Sequence, residues 1–178
     1  ALDAVYQGIK DELAERGFKE GDNLEVMHES AQGNSAIASQ IARKFVGESP
    51  DVIVAIATPS AQTVAAAARN TPAIFSAVTD PLGAKLVSNL EAPGANITGV
   101  SDMLPIDKHL DMLQRVMPDA KRIGTVYNPG EANAVSLVEL LEERLAARGL
   151  ELVKGAATKT SEVLGAARSL VGKADAIY

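Results

Sequence analysis

Hydrophobic positions along the chain follow two alternating patterns, which predict strands and helices in turn. Continuous apolar runs predict buried strands, and apolar residues three or four positions apart predict amphipathic helices. The predicted helices cover residues 2–16, 35–46, 59–69, 81–90, 105–117, 132–148 and 160–171. The predicted strands cover residues 23–29, 51–57, 73–78, 96–101, 122–127, 150–156 and 174–178. Strands that alternate with helices indicate an α/β fold built on parallel sheets.

The alternation restarts near residues 101–106, and this restart predicts a boundary between two doubly wound lobes. We expect an N-terminal lobe over residues 1–102 and the start of a second lobe over residues 103–178. The chain begins in a predicted helix with no strand before it and ends in a predicted strand with no helix after it. A doubly wound domain normally has an opening strand and covers both faces of its sheet. We therefore interpret the chain as an interior segment, without the first strand of one lobe and the C-terminal part of the other.

Three apolar strands each end in a polar residue that is followed by proline at the start of a helix. These corners read AIATPS at 55–60, SAVTDP at 76–81 and TVYNPG at 125–130. Ligands of open α/β sheets bind outside the carboxyl ends of the strands, where free amides of a first helical turn can face them. We therefore expect the function of the protein to lie at these corners.

The first two corners supply candidate ligands for an anion. Ser60 falls in a predicted first turn, where free amides and the helix dipole favour a carboxylate. Thr58 is a second candidate, although it could instead only cap the helix while Ser60 is solvated. Thr79 can join Ser60 because their strand ends are adjacent. Asp80 is also a ligand candidate, but a cap for the helix beginning at Pro81 is the simpler interpretation.

The third corner supplies candidate ligands for a cation. Glu131 can accept a charge-assisted hydrogen bond from an ammonium group, and Asn133 lies two residues further on. The alternative is that Glu131 only occupies the helix N-terminus and that Asn133 caps it. Weaker candidates at other strand ends are Gln32, Asn34, Ser101 and Asp102.

Composition and charge disfavour several other kinds of partner. The 178 residues carry a net charge of −6 without a basic cluster, so we expect no nucleic-acid partner. The chain has no cysteine, which excludes disulfides and thiolate zinc sites. His28 and His109 have no carboxylate or second histidine at ligand spacing, so we expect neither a metal site nor a cofactor.

Five sequence blocks together resemble a known family. They are PDVIVAIATPSAQ, FSAVTDPLGAKLV, NITGVSD, KRIGTVYNPGEANAVSLVELL and GKADAIY. In order and spacing they are similar to the substrate-binding proteins of bacterial ABC importers, specifically the tryptophan/tyrosine-type group. The resemblance implies a type I periplasmic-binding-protein fold, in which two lobes joined by hinge strands close on a small molecule and present it to a membrane permease. It also implies an amino-acid-like ligand and favours an aromatic amino acid. The protein would be lipid-anchored or secreted, at the periplasmic or extracellular face of the membrane.

Two alternatives from other classes stay open on the sequence. The effector-sensing domain of a transcription regulator shares the two-lobed architecture, but it would need a basic helix-turn-helix, which these residues lack. An α/β enzyme could use Asp80 and Glu131 as a carboxylate pair, but the two acids fall in different lobes without a supporting base or metal ligand. We therefore expect a binding protein rather than an enzyme.

Overall fold

The computed structural model describes residues 2–178, and the chain forms two compact units that divide between Asp102 and Met103. The first unit contains α1 (Leu2–Glu15), α2 (Ser35–Gly47), β1 (Ile53–Ile56), α3 (Thr58–Ala67), β2 (Ala73–Val78) and β3 (Ile97–Ser101). The second unit contains α4 (Ile106–Val116), β4 (Arg122–Tyr127), α5 (Ala132–Ala147), β5 (Glu151–Ala156), a 3-10 turn (Thr160–Glu162), α6 (Val163–Ser169) and β6 (Ala176–Ile177). Each unit has a parallel sheet, so the predicted α/β class is confirmed.

The sheet of the first unit has the strand order β1-β2-β3, with all three strands parallel. Ala55 and Phe75 are paired across the first two strands and are buried. On β3 the residue that pairs with Phe75 is Gly99, and a Cβ atom there would lie 2.0 Å from the Phe75 carbonyl oxygen. Only glycine therefore permits this close approach between β2 and β3.

The sheet of the second unit has the strand order β5-β4-β6, again parallel. Its core joins α4, α5 and the central strand β4 through fully buried side chains, of which Leu110, Ile123 and Leu145 are the largest. At the surface, Arg148 donates to the carboxylates of Asp107 and Asp111 at 2.8 Å each and so ties the C-terminal end of α5 to α4. The helix that follows the third corner therefore packs against both α4 and the central strand β4.

The predicted strand over 23–29 is wrong. The structure has only an isolated bridge between Glu20 and Leu24, and the segment that follows has no regular structure. A strand needs a neighbour to take its backbone hydrogen bonds, and among residues 2–178 no strand pairs with 25–29. Most of its residues are exposed, so a single chain segment here does not require a neighbouring strand to avoid burying unpaired backbone groups.

The predicted helix over 81–90 is also wrong, because residues 81–85 form only a turn. The Ala84 amide donates to the Asp80 carbonyl oxygen at 2.9 Å, which closes one helical turn. Lys85 then adopts a φ of +58°, a left-handed conformation that stops helix propagation. The next two residues, Leu86 and Val87, are buried, and burying them takes precedence over continuing the helix.

Candidate functional site

The first corner turns sharply between β1 and α3. Ala57 has φ +77° and ψ 152°, a conformation that residues other than glycine rarely adopt. It is held on both sides, because its N–H donates to the Ser76 carbonyl oxygen at 2.9 Å and its own carbonyl oxygen accepts from the Ala61 amide at 3.0 Å. Ala57 is therefore the N-cap residue, and the interpretation of Thr58 as the N-cap is wrong. A methyl group cannot accept a hydrogen bond, so no side chain caps the first amides of α3.

Thr58 is the most unusual polar residue of this corner. Its side chain is buried, with 2% of its surface exposed, and its Oγ1 atom has no hydrogen-bond partner among the described residues. Buried hydroxyl groups are normally paired, because leaving one unpaired is unfavourable. Ser60 lies two residues further along the same first turn and is half-buried. Together the hydroxyl group of Thr58 and the uncapped amides can donate hydrogen bonds to an oxygen atom of an anion.

The second corner lies at the carboxyl end of β2, the strand next to β1. Thr79 is 8% exposed, and its carbonyl oxygen accepts from Ser101 Oγ at 2.8 Å. The Asp102 amide donates to the Val78 carbonyl oxygen at 3.1 Å. These two bonds tie the end of β2 to the end of β3. Because β1 and β2 are parallel neighbours, Thr58 and Thr79 both follow strands that end at the same edge of the sheet.

Asp80 already has a local role. Its Oδ1 atom accepts from the Gly83 amide at 2.9 Å, as expected of a cap, although it caps a single turn rather than the predicted helix. The turn is tied to α3 by Gln62, whose Nε2 atom donates to the Ala84 carbonyl oxygen at 3.2 Å. The simpler interpretation of Asp80 therefore accounts for one of its carboxylate oxygens.

The third corner, between β4 and α5, is organised by Asn128. The side-chain oxygen of Asn128 accepts from the Gly130 amide at 2.9 Å, and its Nδ2 atom donates to Glu131 Oε1 at 2.9 Å. Glu131 is the N-cap residue of α5, but its carboxylate accepts none of the helix amides. The carboxylate is therefore oriented by Asn128 and not by the helix that it precedes.

Asn133 does not cap α5, because the N-cap position belongs to Glu131. Its Oδ1 atom is buried and has no hydrogen-bond partner within the described part of the chain. An amide oxygen is an acceptor, so it requires a donor group. With the carboxylate of Glu131, this corner presents acceptors, which suit an ammonium group.

Two of the four weaker candidates, Asn34 and Ser101, have structural roles. Asn34 is the N-cap of α2, and its Oδ1 atom accepts from the amides of Ala36 and Ile37. Ser101 supports the second corner through its bond to Thr79. Sequence reasoning did not single out Asn128 as the residue that organises the third corner. The Asn-Pro-Gly-Glu order contained the signal, since asparagine side chains commonly bond to the backbone two residues on.

Residues 2–178 include no group of three or more histidine, aspartate or glutamate side chains arranged to hold a metal ion. Within that range, none of the helices combines the length and the apolar character that a membrane-spanning helix requires.

Comparisons with known proteins place these corners in context. The model of a family described as ABC transporter substrate binding protein matches residues 1–178. A curated protein of Clostridioides difficile, named tyrosine-binding protein, is 41% identical over 178 residues, which are 100% of this chain and 52% of that protein.

Two solved structures are similar over nearly the whole chain. The crystal structure of a conserved domain protein from Vibrio cholerae is 52% identical with a TM-score of 0.97, over 99% of this chain and 60% of that one. The structure of an ABC domain in complex with L-Trp from Streptococcus pneumonia is 35% identical with a TM-score of 0.95, over 99% of this chain and 59% of that one. The chain thus spans between 52% and 60% of the length of these relatives.

Proposed function

Because the chain belongs to the family of ABC transporter substrate-binding proteins, we propose that the whole protein binds a free amino acid outside the cytoplasm and delivers it to a membrane permease. The matching family consists of binding proteins and not of enzymes or regulators, so neither alternative function gains support. The resemblance found in the sequence is thereby confirmed, as is the type I periplasmic-binding-protein fold. In this proposal the two compact units are lobes, and the mechanism that the family implies is closure of the lobes on the ligand.

Thr58 carries the proposal for the first unit. Its buried Oγ1 atom without an internal partner, next to first-turn amides that no side chain caps, suits the carboxylate of an amino acid. A carboxylate there would accept hydrogen bonds from groups that are otherwise unsatisfied, and the N-terminus of α3 would favour its charge. We assign Ser60 and Thr79 to the same carboxylate, because they lie at or next to the same sheet edge. Asp80 remains a candidate residue at the edge of this carboxylate site.

The third corner has hydrogen-bond acceptors that suit the ammonium group of an amino acid. Glu131 and Asn133 present a carboxylate and an unpaired amide oxygen, and both accept hydrogen bonds. An ammonium group donates three hydrogen bonds and carries the charge that Glu131 complements. We therefore assign the ammonium group to the second unit.

We propose an aromatic amino acid as the ligand. One relative is named tyrosine-binding protein, and the structure of another is a complex with L-Trp. The chain itself has only three phenylalanines, three tyrosines and no tryptophan, so it supplies few rings to stack on an aromatic side chain. Chain outside this segment would complete the side-chain pocket.

A thermal-shift screen of the whole protein with the twenty amino acids tests the proposal. A ligand at about a hundredfold excess over its dissociation constant raises the free energy of unfolding by ~2.7 kcal/mol. We expect the largest shifts in melting temperature with L-tyrosine or L-tryptophan. Denaturing the purified protein should release the same compound, and mass spectrometry should identify it as chemically unchanged. A shift with a sugar or a nucleoside, but with no amino acid, would reject the proposal. Recovery of a chemically altered ligand would reject the non-catalytic part of it.

A further inference from the structure

The hydrogen bonds of residues 128–131 form a closed set around one side chain. Asn128 accepts from the Gly130 amide through its side chain and from the Glu131 amide, at 3.2 Å, through its carbonyl oxygen. Its Nδ2 atom then donates to Glu131 Oε1 at 2.9 Å. Both ends of the Asn128 amide group are used, so its orientation is fixed and its donor points at the carboxylate of Glu131.

This arrangement differs from an ordinary helix N-terminus. Aspartate at the N-cap position accepts hydrogen bonds from the amides of the first turn, which are unpaired and carry a partial positive charge, and the longer side chain of a glutamate could reach the same amides only by folding back. The Glu131 carboxylate makes no such bond. Its only hydrogen bond within the described chain comes from Asn128. A carboxylate can accept about four hydrogen bonds, so most of its capacity stays available.

We propose that Asn128 is a positioning residue for ligand recognition, which holds the Glu131 carboxylate away from the helix amides and toward the ligand ammonium group. The inference rests on the proposed function, because it requires Glu131 to contact that ammonium group. Asn133, with its buried unpaired Oδ1 atom in the first turn of α5, is the second acceptor that the ammonium group would meet. Asn128 does not itself contact the ligand in this account.

The variant Asn128→Ser separates positioning from folding of the turn. A serine hydroxyl can still accept from the amide two residues on, so the turn at Gly130 keeps its bond, but the side chain is too short to reach Glu131. Asn89→Ser is the matched control. Asn89 is exposed, and its Oδ1 atom accepts from the amides of Glu91 and Ala92 in a turn of the same kind. Within the described residues, its Nδ2 atom donates to no carboxylate.

The measurement is the preference of the whole protein for an amino acid over its deaminated counterpart, in which hydrogen replaces the ammonium group. Titration calorimetry gives the dissociation constants of L-tyrosine and deaminated tyrosine, and of L-tryptophan and deaminated tryptophan. We expect Asn128→Ser to reduce the preference about tenfold and to change the affinity for the deaminated compounds by less than about twofold. Glu131→Gln should reduce the preference at least as much, and the double variant should reduce it no further than Glu131→Gln alone. Asn89→Ser should leave both affinities unchanged.

Each outcome decides between the two claims. If Glu131→Gln removes the preference while Asn128→Ser leaves it intact, the positioning role is wrong and the proposed function stands. Equal losses for both members of a pair in Asn128→Ser would show a general structural defect and also reject the positioning role. If the wild-type protein binds neither amino acid, or binds each no better than its deaminated counterpart, the assignment of the ammonium group fails and the inference fails with it.

Discussion

The corner before α3 and the corner before α5 share a sequence pattern but present opposite hydrogen-bonding groups. In both, an apolar parallel strand ends and a proline follows within the next two or three residues as a helix begins. Before α3 the N-cap residue is Ala57, whose side chain cannot accept a hydrogen bond, so the corner presents donors. Before α5 the N-cap residue is Glu131, whose carboxylate is held by Asn128, so the corner presents acceptors.

The same strand, proline and helix pattern can therefore present either donors or acceptors, because the N-cap residue and its neighbours decide which hydrogen-bonding groups stay free. A bare helix N-terminus favours an anion through its free amides and dipole. A carboxylate placed at the same point reverses this preference. In the proposed function, the first corner takes the carboxylate of a free amino acid and the third corner takes its ammonium group. The predictions below test this contrast, beginning with the largest effect.

Removing the charge of Glu131 should have the largest effect on affinity. We expect Glu131→Gln to weaken amino-acid binding by about 1.5–3 kcal/mol, or roughly ten- to more than a hundredfold, because a charge-assisted hydrogen bond is lost. Titration calorimetry of the whole protein measures it. The matched control is Glu139→Gln on the exposed face of the same helix, which should bind normally. Wild-type affinity in Glu131→Gln would place the ammonium group elsewhere.

Replacing Thr58 should separate binding from stability. Thr58→Val removes a buried hydroxyl group that has no internal partner, so the free energy of unfolding should stay the same or rise. Affinity should fall by about 1–2 kcal/mol if the hydroxyl group donates to the ligand carboxylate. Chemical denaturation and calorimetry measure the two quantities. Thr125→Val, which also replaces a buried threonine but lies within β4, is the control for affinity. A loss of stability without a loss of affinity would contradict the assigned role.

Acid should weaken a scaffold contact of the second unit at the amino ends of its strands. The Arg122 guanidinium, with the amides of Lys121 and Arg122, holds the pKa of Asp175 well below its usual range. Because the folded pKa is depressed, the contribution is present above the unfolded value of about 3.9 and is lost as the pH falls below it. Asp175→Asn should therefore lower the melting temperature at pH 5–7, and the difference from wild type should shrink below about pH 4. A difference that does not change with pH would contradict this explanation.

Neutralising Asp80 should have the smallest effect. Asn has the same shape and can still accept from the Gly83 amide, so Asp80→Asn should change stability and affinity by less than about 0.5 kcal/mol. Thermal melts and calorimetry provide the check. A large loss of affinity in this variant would show that the Asp80 carboxylate contacts the ligand, and the assignment of a carboxylate group to this edge of the sheet would then fail.

Most of the fold could be predicted from the sequence, because buried parallel strands are continuous apolar runs. The bounds predicted for β2 and β4 match the structure. The two failures arose where local pattern and tertiary context disagree. Residues 23–29 alternate like a strand but have no partner strand in the described chain, and the segment after Pro81 is helical in pattern but stops where Lys85 turns left-handed.

The positions of the three corners at strand ends could be predicted, but their hydrogen bonds could not. Strand ends followed by proline pointed to the three corners. The sequence did not indicate that Ala57 rather than Thr58 precedes α3, because that depends on backbone bonds to Ser76 and Ala61. Nor did it indicate that Asn128 reaches Glu131, because the rotamer of a side chain depends on the bonds that surround it.

The most direct test of the contrast between the two corners is a cross-selectivity measurement on the whole protein. Calorimetry would give the affinities of wild type, Thr58→Val and Glu131→Gln for L-tyrosine, for its carboxamide and for deaminated tyrosine. We predict that Thr58→Val reduces only the preference for L-tyrosine over the carboxamide, and that Glu131→Gln reduces only the preference over deaminated tyrosine. The assignment of the carboxylate and the ammonium group to separate corners is wrong if both variants reduce the same preference. It is also wrong if one of the two preferences is unchanged in both variants.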